Sequence, residues 1–249
     1  MRLHKISLAA MALGGGLLLT ACGGGGGIGG GGSALTVRGT AAIGDPVVGL
    51  VSATCKEESG SSTSNPDGSF TVVINNGVGP CLLNMTIPGT TTTLYSVTSG
   101  STATQTANLT PMTTLLVEYL RNLPNMPSTQ NPQAWFASPV TRLLLSDTQA
   151  LTTRIQNGFI PALNALLPPN SAPFALNANF LQTTFTANPN ISSIDAELVK
   201  LIVSKFVTNL GALIRSFVDE LIKAALKDIP VTIPPTGATG ASGASGASG

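Results

Sequence analysis

The chain has little of what most catalytic chemistry needs. It contains a single histidine, His4, which lies at the start of its 249 residues. A Ser-His-Asp triad, a Cys-His pair and a histidine-ligated metal site are therefore excluded beyond the first few residues. No lysine follows a serine by three positions, so the Ser-x-x-Lys dyad is missing too. Charged residues make up 9% of the sequence, against about a quarter in ordinary domains. Of the 12 basic residues Arg2 and Lys5 sit at the N-terminus, which leaves ten to face 11 acidic ones, with no basic run. The electrostatic footprint of a nucleic-acid binder is absent. Two carboxylate pairs remain, Glu57/Glu58 and Asp219/Glu220. Acid/base pairs usually flank a bond from opposite sides, whereas these are sequence neighbours and read as solvated charge. We expect no catalytic residue, no metal and no cofactor, and hence not an enzyme.

The N-terminus is more informative. Arg2 and Lys5 precede an apolar run over residues 6–19 that is too short to span a bilayer. Then comes Leu19-Thr20-Ala21-Cys22-Gly23. This stretch resembles the bacterial lipoprotein signal, Leu-x-Ala-Cys. The resemblance implies a signal peptide over residues 1–21, transfer of diacylglycerol to the Cys22 sulfur, cleavage before it and acylation (palmitate) of the new amine. The partner so implied is the membrane, held through two or three acyl chains at about 0.8 kcal/mol per buried methylene. In Gram-negative lipoproteins an Asp after the cysteine favours retention at the inner membrane, so Gly23 implies the outer membrane of the cell envelope. An ordinary secretory signal with an incidental cysteine is the alternative.

With Cys22 lipidated, Cys55 and Cys81 are left, and in an oxidising compartment they are expected to form a disulfide. Two free thiols or a metal site are the alternatives, and no other ligand residues support metal. Residues 22–33 carry the lipidated cysteine and a nearly all-glycine linker, spanning roughly 17 Å over ten residues as a random coil. The linker also satisfies a GxGxxG pattern, which means nothing without a preceding strand.

Residues 34–108 read as short strands and turns. Leu35 and Val37 alternate, Asp45-Pro46 turns, and residues 50–55 run apolar and β-branched. Pro66-Asp67-Gly68 turns into Phe70-Thr71-Val72-Val73-Ile74, and residues 81–87, 94–98 and 102–107 continue the series. Gly39, Gly44-Asp45-Pro46-Val47-Val48-Gly49 and Asp67-Gly68-Ser69-Phe70 resemble the carboxypeptidase regulatory-like, transthyretin-like domain. Leu50 stands where that family has a small residue, and a serine-rich loop lengthens the approach to Asp67. The resemblance implies a small Greek-key β-sandwich without catalysis.

Residues 109–229 read as helical. Asn108-Leu109-Thr110-Pro111-Met112-Thr113 looks like the segment that opens a helical region in some envelope lipoproteins. Thr110 suits the N-cap and Pro111 the first helical position, with Leu115, Leu116, Tyr119 and Leu120 on the apolar face. Asn131-Pro132 and Ser138-Pro139 repeat the signal, and Trp135 and Phe136 read as core. A longer helix is predicted over 148–167, interrupted by Asn157-Gly158 and Pro161, then an irregular stretch with Phe180 and Phe185 filling the core. Over 198–226 Lys200, Ser204, Thr208, Gly211, Arg215, Asp219, Lys223 and Lys227 trace one polar stripe on an apolar helix, with Phe206, Leu210, Leu213 and Phe217 opposite. Burial in a helical bundle fits better than lying on a membrane, since basic residues do not dominate the stripe. Residues 230–249, rich first in Pro and then in Gly, Ala and Ser, read as a disordered tail.

The expected fold is therefore α+β: an N-terminal Greek-key β-sandwich followed by an all-α, bundle-like domain. The expected function is that of a non-enzymatic, lipid-anchored envelope protein acting as a binding or structural module. A carrier of an apolar ligand or lipid in the helical domain is one alternative. A surface carbohydrate-binding or adhesion module, stacking sugar on Phe70 or Tyr95, is another.

Overall fold

Alternation of apolar and polar residues decides the first half of the chain. The computed structural model describes residues 33–127, 131–167, 169, 170, 172–174, 176, 179–184, 186, 187, 220, 222 and 223. Leu35 and Val37 are buried in β1 (Leu35–Thr40), while Thr36 and Arg38 lie on its outer face. Among the described residues six strands follow: β2 (Leu50–Thr54), β3 (Ser59–Thr63), β4 (Ser69–Ile74), β5 (Leu82–Thr86), β6 (Thr93–Val97) and β7 (Thr104–Thr106). They form two sheets, ordered β4-β1-β7 and β3-β2-β5-β6. β1 runs antiparallel to β4, with Val37 opposite Val72, and parallel to β7, with Val37 opposite Gln105. In the second sheet all neighbours are antiparallel, and Ser61, Ser52, Asn84 and Tyr95 form one row across it. Val37, Phe70 and Val72 from the first sheet share a buried core with Val51, Leu83 and Met85 from the second.

The sequence predicts a serine-rich loop before Asp67, but the structure has strand β3 there. Ser59–Thr63 carries no large apolar side chain and needs none, because it is an edge strand hydrogen-bonded along β2. Its small residues let it close down on β4: a Cβ on Gly60 would stand 2.9 Å from both Ile74 Cγ1 and the Val73 carbonyl oxygen. Hydrophobic periodicity carries no trace of such a strand.

The two glycine-bearing turns meet beside the end of β1. Ala41 N–H donates to the Gly68 carbonyl at 2.8 Å, and Val47 N–H donates to the Ala41 carbonyl at 2.9 Å. Gly68 has φ of 79°, and a Cβ there would come 2.5 Å from the Ala41 carbonyl oxygen, so both conformation and space require glycine. Asp67 Oδ1 accepts from the Ser69 hydroxyl at 2.6 Å and from Ser69 N–H at 2.9 Å. These bonds, the hydroxyl's first, hold its carboxyl below the usual range.

Helix α1 (Pro111–Arg121) starts at the predicted residues. Thr113 N–H donates to Thr110 Oγ1 at 3.2 Å, and Thr110 N–H donates to Thr113 Oγ1 at 3.0 Å. The reciprocal pair is a capping box built with threonine in place of Glu. Asn131 Oδ1 caps α2 (Pro132–Ala137) by accepting from Gln133 N–H at 2.8 Å, whereas Ser138 starts α3 (Pro139–Ser146) without a side-chain cap. Asp147 caps α4 (Thr148–Arg154).

At Asn157-Gly158 and Pro161, where the sequence predicts an interruption, the helix widens instead of breaking. A π-turn over Ile155–Phe159 leads into α5 (Ile160–Asn164), with Ile160 N–H donating to the Ile155 carbonyl. In an α-helix the Pro161 ring would press on the carbonyl four residues back and leave it without a donor. One wide turn relieves both problems.

Trp135, Phe136, Tyr119 and Phe159 are buried in a second core that also takes in Leu82 and Val97 from the outer face of the second sheet. Phe159 lies 5.7 Å from the Tyr119 ring and 6.1 Å from that of Phe180, centroid to centroid. The predicted helix over 198–226 lies outside the described residues except at 220, 222 and 223, where Lys223 Nζ meets Glu220 Oε1 at 2.8 Å. The signal, Cys22, the glycine linker, Phe185, Asp219 and the tail over 230–249 also lie outside them.

Candidate functional site

Cys55 and Cys81 are bonded to each other. Cys55 follows β2 and Cys81 precedes β5, which are neighbours in the second sheet, so the bond fastens adjacent antiparallel strands at one end. Cys55 N–H donates to the Glu58 carbonyl at 2.8 Å, and Cys81 N–H donates to Thr98 Oγ1 at 2.8 Å. Both cysteines are buried, which makes the bond a structural one. Glu57 and Glu58 stand exposed beside it, and Glu57 meets the neighbouring Lys56 at 3.5 Å. Phe70 lies in the core at 2% exposure and cannot act as a platform for sugar. Tyr95 is half-buried opposite Asn84. Among the described residues no three His, Cys, Asp or Glu side chains gather where a metal ion could be held.

The best-built polar constellation is one the sequence does not single out. Asn108, fully buried, accepts from Thr40 N–H at 3.1 Å through Oδ1 and donates to the Thr183 carbonyl at 2.7 Å through Nδ2. One side chain thus ties β1 to the chain that follows the helices. Five and six residues on, Thr113 and Thr114 complete the edge of the second sheet. Thr113 Oγ1 donates to the Tyr95 carbonyl at 2.9 Å, and Tyr95 N–H donates to Thr114 Oγ1 at 2.9 Å. The edge of β6, which would otherwise present unpaired backbone, is covered by α1. Thr114→Val keeps the shape but leaves the Tyr95 N–H without a partner. It should destabilise the protein by about 1–3 kcal/mol in denaturant unfolding. Thr153→Val, at an exposed position on α4, should change stability by about half a kcal/mol or less.

Glu118 on α1 pairs with Arg121, Oε2 to Nε, at 2.6 Å, with both side chains largely covered. Burial pushes the Glu118 carboxyl above its usual 4.5, against the opposing pull of Arg121. The folded form then holds the proton more tightly than the unfolded form. This carboxyl's contribution to stability is fully present below 4.5 and is lost as pH rises through the raised value. Denaturant unfolding across that range should show the decline in the native chain and a flatter profile in Glu118→Gln.

Described residues line at least three surface clefts. One of about 390 Å³ runs along α4 beside Ala150, Thr153 and Asn157. A second, of about 400 Å³, lies where β1 begins, between Ser33, Asn76, Val78 and Ala103. A third, of about 310 Å³, follows β7 and is walled by Thr104, Gln105, Thr106, Ser99, Thr148 and Gln182. No helix among the described residues is long and apolar enough to cross a membrane. No family model, no curated protein and no solved structure matches the chain.

Proposed function

We propose that this chain is a non-enzymatic lipoprotein of the bacterial cell envelope, anchored through Cys22 at the outer membrane and acting as a binding or structural module. The observation that carries the reading is the fate of the three cysteines. Cys55 and Cys81 are used on each other, and the remaining one stands behind Leu19-Thr20-Ala21 at the cut site of a lipoprotein-like signal. A buried disulfide also fits an oxidising compartment.

The β part is on this reading a Greek-key sandwich of the carboxypeptidase regulatory-like kind. What supports it is that β1 pairs with β4 and β7 rather than with β2. The helical part is, on this reading, a bundle.

The test is Cys22→Ser in a bacterial host. Only a thiol can accept the diacylglycerol, so the variant should lose metabolic labelling by palmitate and leave the membrane fraction. Labelling that persists in the variant overturns the anchor.

A further inference from the structure

We propose that the cleft along β7 binds a small neutral polyhydroxylated ligand, a mono- or disaccharide; the proposal rests on the reading of the chain as a binding module. Among the described residues its wall is made of hydroxyls and amides and carries no charge: Ser99, Thr104, Thr106 and Thr148 with Gln105 and Gln182. An ionic ligand would find no counter-charge there, and an apolar one would strip water from these groups without replacing their hydrogen bonds. A sugar hydroxyl both donates and accepts, as Ser and Thr hydroxyls do, and matches such a wall group for group.

Gln105 supplies the second observation. It is only 5% exposed, and its Nε2 donates to the Gly100 carbonyl at 3.0 Å, while its buried Oε1 has no partner among the described residues. A ligand hydroxyl is the kind of donor this oxygen lacks. Its position is fixed from behind, since a Cβ on Gly79 would lie 2.2 Å from Gln105 Nε2. The rim is fixed as well: Gly100 N–H donates to the Leu145 carbonyl at 3.1 Å, and Gln182 Nε2 donates to Ser99 Oγ.

The backbone of β7 adds donors. Ala103 and Ala107 make their hydrogen bonds to β1, at Thr36 N–H and the Arg38 carbonyl, both at 2.9 Å. In a parallel pair every second residue bonds to the partner strand, and the residues that alternate with these turn their N–H groups the other way. Thr104 and Thr106, which also wall the cleft, therefore present theirs at the free edge. A volume of about 310 Å³ lies at the small end of ligand sites and suits one or two sugar rings. Among the described residues the wall has no aromatic side chain for a ring to stack on, so affinity in the millimolar range is expected.

The experiment is titration of the isotopically labelled full chain with glucose, galactose, N-acetylglucosamine and maltose, followed by backbone amide shifts. Hexanoate serves as the charged, apolar comparison. At least one sugar should give saturable shifts centred on Thr104, Thr106 and Gln182. Thr104→Val combined with Thr148→Val, both at exposed positions, should abolish them with an unchanged melting temperature. The proposal is overturned if no sugar gives a saturable shift, if the shifts survive in the double variant, or if hexanoate binds there and sugars do not. Such a failure would leave the anchor untouched, since palmitate labelling of Cys22 reads it separately.

Discussion

Replacing Phe159 with alanine is expected to cost about 3–5 kcal/mol of stability, the usual range for a phenylalanine lost from a packed core. The ring is fully buried, sits between Tyr119 and Phe180, and ends the π-turn that carries the chain past Pro161. Little around it can collapse into the space, because its neighbours are themselves large rings on separate segments. For a chain of this size each kcal/mol moves the melting temperature by roughly 2–4 °C, so a drop of about 6–20 °C should appear in a thermal melt followed by circular dichroism. Leu143→Ala, at a position 44% exposed, is the control and should move it little. A Phe159→Ala protein that melts with the native chain would contradict the helical core as described.

The second large effect is expected from removing the disulfide. Cys55 and Cys81 are 26 residues apart, and a bridge of that span stabilises by roughly 3–4 kcal/mol on the chain-entropy view. The double variant Cys55→Ala/Cys81→Ala leaves no lone thiol and only a small void. Its melting temperature should fall by several degrees and become insensitive to reductant, while that of the native chain should fall when reductant is added. Alkylation of unreduced, denatured protein should modify neither cysteine. Two reactive thiols in that experiment would contradict the pairing.

Much of the architecture is legible from residue type because the signals are local. Thr110-Pro111, Asn131-Pro132 and Ser138-Pro139 start helices where they stand, since a cap and a proline act on the next turn of their own chain. Strands β1, β2 and β4 to β7 announce themselves by alternation or by β-branched runs. What stays hidden depends on partners far along the chain. Strand β3 is held by β2 and by the room Gly60 leaves over β4, and nothing within five small polar residues encodes that. The π-turn follows from Pro161 only once the surrounding core has made breaking the helix the costlier choice. Asn108 and Thr113 stand in the sequence only as part of the stretch that opens the helical region, and Thr114 does not stand out at all. Their work lies at Thr40, Tyr95 and Thr183, between 18 and 75 positions away. The β7 cleft is assembled from loop, strand, helix start and a distant glutamine, so no single stretch predicts it.

The place of β1 in its sheet has a mechanical consequence. Among the described residues β1 is the first strand; it is central in its sheet, bonded on both sides, and parallel to β7. A pull on the N-terminus, resisted by load applied beyond β7, draws two parallel strands in opposite directions along their common axis. Their hydrogen bonds are then loaded together, in shear, instead of opening one after another as in the unzipping of a hairpin. A chain tethered at its start would meet tension with a strand held on both sides.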